Sequence, residues 1–154
     1  MNRYFLNLGK QPLANKYSNY HNKNQIRYNL KLYFNTKTKL VSISKRISSK
    51  KMFNKNYPYR SSMSKTMTYS FVKLSKLIKK KFNPDTILEI GSNDGALLKN
   101  FNKKNSIGIE PCSNLAAITK KMGYKTYNNY WNLELAKKIK RNFNKIDLIY
   151  SANT

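Results

Sequence analysis

Short apolar blocks alternate with longer segments of helical spacing in the second half of the chain. The blocks Thr86–Ile90, Ser106–Ile109, Lys125–Tyr127 and Asp147–Tyr150 predict four strands. Between them the pattern predicts helices at 96–101, at 114–122 (ended by Gly123) and at 133–143, the last with an inward face formed by Leu133, Ala136, Ile139 and Phe143. Strands alternating with helices are typical of a parallel sheet with helices on both faces. The fold class is therefore α/β, with strand order 3-2-1-4.

The first half shows a different pattern. Residues 30–34 and 39–43 predict two short strands joined by a turn at 35–38, which makes a β-hairpin. Residues 6–15 contain Gly9 and Pro12 and predict a loop. The lone His21 lies in a polar stretch and is expected on the surface, with no second histidine or nearby cysteine to complete a metal shell.

A helix is predicted to connect the two halves. Met67, Phe71, Leu74 and Ile78 step by four, three and four, which gives one apolar face. Ser61, Ser62 and Ser64 are candidate N-caps, and Pro84 is expected to end the helix. These patterns divide the chain into a hairpin lobe at 1–50, a linker and helix at 51–82, and a sheet domain at 83–154.

The candidate site is the turn after the first strand of the sheet domain. Gly91 and Gly95 let the backbone approach a ligand closely, and a helix start follows with unpaired N–H groups. Glu110 comes 19 positions after Gly91, where a carboxylate holds the ribose hydroxyls of a nucleotide-type ligand. An ordinary strand–turn–helix junction without a ligand is the alternative.

The details of the turn favour a cationic ligand. Asn93 stands where a dinucleotide fingerprint has its middle glycine, and Glu89 lies two residues before the first glycine. A carboxylate at that position attracts an ammonium or sulfonium group and repels a pyrophosphate. The pattern therefore favours S-adenosylmethionine, whose sulfonium and amino groups are positive.

Composition adds charge to this picture. The 154 residues carry a formal net charge of +25, with 31 Lys and Arg against six acids, and 40% are hydrophobic. Lysines are scattered along the chain, and AT-rich codons explain the joint excess of Lys, Asn, Tyr, Ile and Phe, so we do not expect nucleic acid as a partner. A basic protein that binds nucleic acid or an anionic surface on an inactive scaffold is the alternative. The single cysteine, Cys112, and the absence of a 20-residue apolar run favour a cytoplasmic protein with no membrane partner.

Five blocks in order resemble a known family, the S-adenosylmethionine-dependent sugar C-methyltransferases, which act on nucleotide-linked deoxy-keto-sugars. They are LGKQPLAN at 8–15, KMFNKNYPYRSSMSKTM at 51–67, LEIGSNDGALL at 88–98, GIEP at 108–111 and LIYSANT at 148–154. The resemblance implies a partial class I methyltransferase (Rossmann-like) sheet of about four strands. It also implies that Tyr57 or Tyr59 faces the sugar. By the same resemblance, the cofactor-binding residues lie in the third and fourth blocks: Glu89, Gly91, Ser92, Asn93, Asp94, Gly95, Glu110 and Pro111.

The chain lacks two features that the resemblance would lead us to expect. The resemblance implies an N-terminal zinc module, but the second cysteine pair would fall at Asn35 and Thr38, so zinc is not expected here. By the same resemblance the His/Glu/Tyr catalytic cluster lies beyond residue 154. The chain is therefore interpreted as a truncated fragment that binds the cofactor weakly at most and does not turn over alone. A complementing C-terminal fragment is a possible partner.

Overall fold

The computed structural model describes residues 1–17 and 24–152, so His21 lies outside the described residues. The chain divides into two units, Met1–Phe53 and Asn54–Thr154. No helix within the described ranges combines the length and the apolar character needed to cross a bilayer. Each unit contains its own sheet, one antiparallel and one parallel. The molecule is therefore mixed α/β.

The first unit is a three-stranded antiparallel sheet. Its strands β1 (Asn2–Pro12), β2 (Arg27–Asn35) and β3 (Val41–Ile43) lie in chain order, and a short helix α1 (Ser49–Met52) follows. The predicted hairpin is confirmed, because β2 pairs with β3 in the register Leu32–Ile43 and Phe34–Val41.

A hydrogen-bonded turn closes this hairpin at the positions where the resemblance places zinc cysteines. Asn35 Oδ1 accepts hydrogen bonds from the backbone N–H groups of Lys37 (3.0 Å) and Thr38 (2.9 Å). An Asn side chain that accepts from the backbone two or three residues on mimics a backbone turn. The side chain of Asn35 therefore stabilises the turn at 35–38.

The predicted loop at 6–15 is wrong over most of its length, because residues up to Pro12 belong to β1. Gly9 has a positive φ of 68° within an irregularity of the β1–β2 register between Asn7 and Lys10. Pro12 is the last residue of a strand that lies at the edge of its sheet. Glycine and proline in a sequence usually indicate a turn. Glycine is also common at a β-bulge and proline is tolerated on an edge strand, which are the positions of Gly9 and Pro12.

The second unit is built on a four-stranded parallel sheet. The strands are β4 (Ile87–Ile90), β5 (Ser106–Ile109), β6 (Lys125–Tyr127) and β7 (Leu148–Ser151), in the spatial order β6-β5-β4-β7. This is the predicted order 3-2-1-4. The helices are α2 (Lys65–Phe82), α3 (Ser113–Lys121) and α4 (Leu133–Asn142).

The two faces of this sheet are covered by different elements. Ile87 belongs to a buried cluster with Phe71 and Ile78 of α2, whereas its neighbour Leu88 packs with Leu135 and Ile139 of α4. Adjacent strand residues point to opposite faces, so the alternation assigns one core to each side. The predicted apolar face of α2 is confirmed, and this helix belongs to the second unit rather than to a separate linker.

Two local predictions in the second unit are wrong. Residues 96–101 form a tight turn with a 3₁₀ helix at Leu98–Asn100 rather than a regular α-helix. In α4 the inward residue of the first turn is Leu135, and Leu133 is 68% exposed. Asn132 caps α4 by accepting from the N–H of Leu135 at 2.8 Å, which fixes the start of the helix and its rotation.

Candidate functional site

A sharp bend follows β4 at the carboxyl edge of the parallel sheet. The N–H groups of Gly91 and Ser92 both donate to the carbonyl of Ile109, at 2.8 and 3.0 Å, which ties the bend to the end of β5. Gly91, Asn93 and Gly95 have positive φ values of 71°, 49° and 78°. Asparagine tolerates this conformation better than other side chains do, so Asn93 fits the position where a dinucleotide motif has glycine.

Glu110 lies directly after β5 and faces the bend. Its Oε2 accepts from the N–H of Asn93 at 2.9 Å, and its Oε1 accepts from the N–H of Cys112 at 2.7 Å. The residue is only 4% exposed. The structure thus brings together a turn and a carboxylate that are 19 positions apart in the sequence. The Cys112 thiol also hydrogen-bonds to this carboxylate, so three of its roughly four acceptor positions are occupied within the protein.

Glu89 is a second buried carboxyl group, located on β4 beneath the bend. It is 3% exposed and accepts a hydrogen bond of 3.3 Å from the hydroxyl of Tyr150. The pKa of Glu89 is raised to about 8, principally by burial and also by the charges of Glu110 and Asp94, against the opposing hydrogen bonds from Tyr150 and the Leu98 N–H. Burial and Glu89 also raise the pKa of Tyr150. At neutral pH this pair is therefore mostly protonated.

The side chains of the bend hold a second segment of chain, residues 57–62. Asn93 Oδ1 accepts from the N–H of Ser61 at 2.9 Å, and its Nδ2 donates to the carbonyl of Tyr59 at 3.4 Å. The carboxylate of Asp94 accepts from both the N–H and the hydroxyl of Ser62. Segment 57–62 is therefore fixed against the bend by the same residues that the sequence assigns to the cofactor.

The capping prediction for α2 is resolved by these contacts. Ser64 is the N-cap, because its Oγ accepts from the N–H of Met67 at 3.2 Å. Ser61 and Ser62 instead bind the bend through contacts that span 32 positions of the sequence. Such long-range pairing has no local signal, so the sequence gives no indication of this use of the two serines.

Replacing Asp94 by alanine should loosen segment 57–62. Removing the acceptor leaves Ser62 without its charged partner, which costs about 1.5–3 kcal/mol for hydrogen bonds to a charged group. We expect trypsin to cleave native protein after Lys55 and Arg60 at least tenfold faster, because local opening becomes more frequent. Timed proteolysis at low protease concentration measures this, and the exposed Glu134→Ala serves as the matched control. An unchanged cleavage rate would show that Asp94 does not hold the segment.

Two asparagines that the sequence does not single out complete the edge of the site. Asn114, at the start of α3, donates from Nδ2 to the carbonyl of Tyr57 at 2.8 Å. Asn128, after β6, donates from Nδ2 to the carbonyls of Glu110 (2.8 Å) and Pro111 (2.9 Å). Asn114 comes shortly after β5, and Asn128 comes directly after β6. Their position after a predicted strand is the only feature of the sequence that could have identified them as site residues.

Two buried oxygens at this edge have no hydrogen-bond partner among the described residues. They are Ser92 Oγ, in the bend, and Asn114 Oδ1. Ser92 Oγ packs against β5, since a Cβ added at Gly108 would lie 2.8 Å from it, so this hydroxyl faces the sheet. The acceptors that the site presents are therefore carboxylates and an amide, in a chain with a large excess of cations.

The described residues offer no group of three His, Cys, Asp or Glu side chains that could hold a metal ion. Cys112 is buried, and burial raises the pKa of its thiol to about 12, with Glu110 adding to the effect. It is therefore a protonated thiol at neutral pH, unlike a nucleophilic or metal-binding cysteine.

The fold and the geometry of the edge define an α/β protein with a candidate nucleotide-type site at the carboxyl ends of β4 and β5. Comparison with known proteins does not assign the chain to a family. No protein-family model matches the chain, and no curated protein matches it significantly.

Proposed function

We propose that the second unit binds S-adenosylmethionine at the carboxyl edge of its parallel sheet. The observation that carries the proposal is the position of Glu110, whose carboxylate is held by two backbone N–H groups beside the positive-φ bend. In open α/β sheets, ligands bind outside the carboxyl ends of the strands where the strand order reverses. Here β4 lies between β5 and β7, so the bend is at that point.

The donor and acceptor groups at the edge fit this cofactor. A ribose hydroxyl can donate to the remaining acceptor position of Glu110, and an amine or hydroxyl can donate to the unpaired Oδ1 of Asn114. Two carboxylates lie at this edge. Glu110 bonds to the bend and Asp94 bonds to segment 57–62. Their negative charge favours a cationic ligand over a pyrophosphate. S-adenosylmethionine, when bound, supplies an electrophilic methyl group.

A cleft of about 320 Å³ opens beside Asn128 and is lined by residues after β6 and on α4, among them Tyr127, Asn129 and Leu135. Clefts of this size are typical of small-molecule sites. Asn128, which lines the cleft, donates to the backbone carbonyl of Glu110, whereas neither the Glu110 side chain nor the bend is among the lining residues.

The proposed reaction class follows from the resemblance. We propose that the methyl acceptor is a carbon of a nucleotide-linked deoxy-keto-sugar. Tyr57 and Tyr59 are the residues proposed to face the sugar, and segment 57–62, which contains them, is held against the bend through Asn93 and Asn114. The chain supplies cofactor binding and orientation in this proposal.

Isothermal titration calorimetry of the full chain tests the proposal. We expect saturable binding of S-adenosylmethionine and no binding of NAD⁺ under the same conditions, because the bend lacks the middle glycine and offers carboxylates where a pyrophosphate would lie. Circular dichroism establishes that the titrated protein is folded. Absence of heat with S-adenosylmethionine from folded protein, or tighter binding of NAD⁺, would contradict the assignment.

A further inference from the structure

The first unit carries a strongly uneven charge. Of the 31 lysines and arginines, 12 lie between Met1 and Phe53, and none of the six acids does. An isolated unit of 53 residues with only positive charge attracts polyanions and concentrates them at its surface. The partner that such a surface fits must therefore be anionic.

The strand register sorts the side chains of this unit onto two faces. Directly paired residues of antiparallel strands lie on the same face, so the pairs Tyr4–Tyr33 and Asn7–Lys31 share one side of the sheet. The same side carries, by register, Lys10, Arg27, Asn29 and Ser42. The opposite side carries the apolar residues Leu6, Leu32, Phe34, Val41 and Ile43. We refer to the side that carries Tyr4 and Tyr33 as the tyrosine face.

Burial along β2 agrees with this division. Arg27, Asn29 and Lys31 are exposed, whereas Tyr28 and Leu30, which point the other way, are half-buried. Lys51 lies over the ring of Tyr28 at 6.0 Å on that other side. Tyr33 is half-buried, and Leu6, Val41 and Ile43 on the opposite side are 41%, 58% and 42% exposed, so both sides of the sheet are partly open.

Two aromatic rings lie side by side on the tyrosine face. The rings of Tyr4 and Tyr33 are 5.9 Å apart with an interplanar angle of 62°, and Tyr4 is 65% exposed. A groove of about 560 Å³ next to them is lined by Tyr4, Phe5, Leu6, Asn7, Lys31 and Ser44. Exposed rings provide stacking surfaces, Lys and Arg neutralise phosphates, and asparagine amides can hydrogen-bond to base edges.

We infer that the tyrosine face binds single-stranded nucleic acid, with bases stacked on Tyr4 and Tyr33 and phosphates held by Arg27 and Lys31. This combination of aromatic platform and acid-free basic surface is how proteins bind single strands without sequence preference. A duplex keeps its bases stacked inside and offers no ring faces to Tyr4. The surface therefore distinguishes single strands from duplexes. This inference is independent of the proposed cofactor site.

Fluorescence anisotropy of the full chain with labelled single strands, dT15 and rU15, and with a 15-base-pair duplex tests the inference. We expect both single strands to bind more tightly than the duplex. Tyr4→Ala should weaken single-strand binding by about tenfold or more, because a stacked base contributes substantially to affinity, and Tyr4→Phe should bind within about twofold of wild type. Tyr69→Ala is the matched control, since Tyr69 is 61% exposed on α2.

Salt dependence provides a second measurement that does not require substituting an aromatic residue. Arg27→Gln and Lys31→Gln should each reduce the slope of log K against log salt by about 0.7, whereas Lys76→Gln on α2 should leave it unchanged. The inference would be overturned if Lys31→Gln and Lys76→Gln changed the salt slope equally, or if the duplex bound as tightly as the single strands. It would also be overturned if folded Tyr4→Ala bound single strands like wild type, or if the protein preferred phosphatidylserine vesicles to oligonucleotides. Differences between dT15 and rU15 identify which single strand is preferred.

Discussion

Replacing Glu110 by glutamine is expected to weaken S-adenosylmethionine binding by about 10- to 100-fold. A hydrogen bond to a charged group contributes about 1.5–3 kcal/mol, and each 1.4 kcal/mol is a factor of ten in affinity. Glutamine keeps the shape of the side chain but has one acceptor oxygen, so its amide NH₂ must face either the N–H of Asn93 or that of Cys112. Calorimetric titration at a temperature well below unfolding measures the affinity of each variant.

The same substitution should also lower stability, and this separates a binding role from a structural one. Losing a charge-assisted bond to one of two backbone N–H groups costs about 1.5–3 kcal/mol of unfolding free energy. Glu134→Gln, an exposed carboxylate on α4 whose ion pair with Lys137 is on the surface, should change neither quantity measurably. If Glu110→Gln is destabilised but binds S-adenosylmethionine like wild type, Glu110 only fixes the bend and the cofactor assignment is wrong.

The parallel sheet was predictable because its strands are short apolar runs bounded by turn residues. Predicted and observed bounds agree for Ser106–Ile109 and Lys125–Tyr127, and the strand order is the predicted one. β4 and β5, in the middle of the sheet, are buried over almost their whole length and are mostly apolar, and that pattern survives in a lysine-rich chain, whereas the outer strands β6 and β7 carry exposed residues. β1 was missed for the opposite reason. It is an exposed edge strand, so it shows no burial pattern, and its Gly9 and Pro12 resemble turn residues.

The candidate site was predictable in its backbone but not in its contacts. The spacing between Gly91 and Glu110 follows from one strand–turn–strand unit, so the sequence is enough to expect the carboxylate near the bend. What the sequence does not contain is the use of Asn93 and Asp94 to hold segment 57–62. Those bonds join residues 32 positions apart, and their partners are backbone groups and serines that carry no motif of their own. The rotation of α4 was missed because Leu133 and Leu135 are both apolar and only the cap at Asn132 decides between them.

The stability of the protein should fall as pH rises from about 5 to about 8, through the titration of Glu89. The ordinary pKa of a glutamate, 4.5, is raised to about 8 in the folded protein, principally by burial. Below pH 4.5 the group is protonated in both states, so its contribution to stability is fully present. Between the two values the unfolded chain ionises while the folded protein keeps its proton, and stability is lost as pH rises through the folded pKa. The full loss is on the order of 5 kcal/mol, at 1.36 kcal/mol per pKa unit over the interval from 4.5 to about 8.

Urea unfolding of wild type and Glu89→Gln at pH 5, 7 and 8.5 measures this loss. Glutamine resembles the protonated carboxyl group and still accepts from Tyr150, so the variant should match wild type near pH 5 and exceed its unfolding free energy at pH 8.5. Glu134→Gln should follow the wild-type pH dependence. Parallel pH dependence in wild type and Glu89→Gln would show that Glu89 ionises normally and has access to water.

The titration of Glu89 also connects stability to the proposed cofactor. A sulfonium or ammonium group near a carboxyl group favours its ionised form, so bound S-adenosylmethionine should lower the pKa of Glu89 and offset the loss at high pH. Saturating cofactor is then expected to raise the unfolding free energy of wild type more at pH 8 than at pH 6. Glu89→Gln, which has no proton to release, should gain equally at both values. An equal gain for wild type at both pH values would place the positive charge of the ligand away from Glu89, even if S-adenosylmethionine binds.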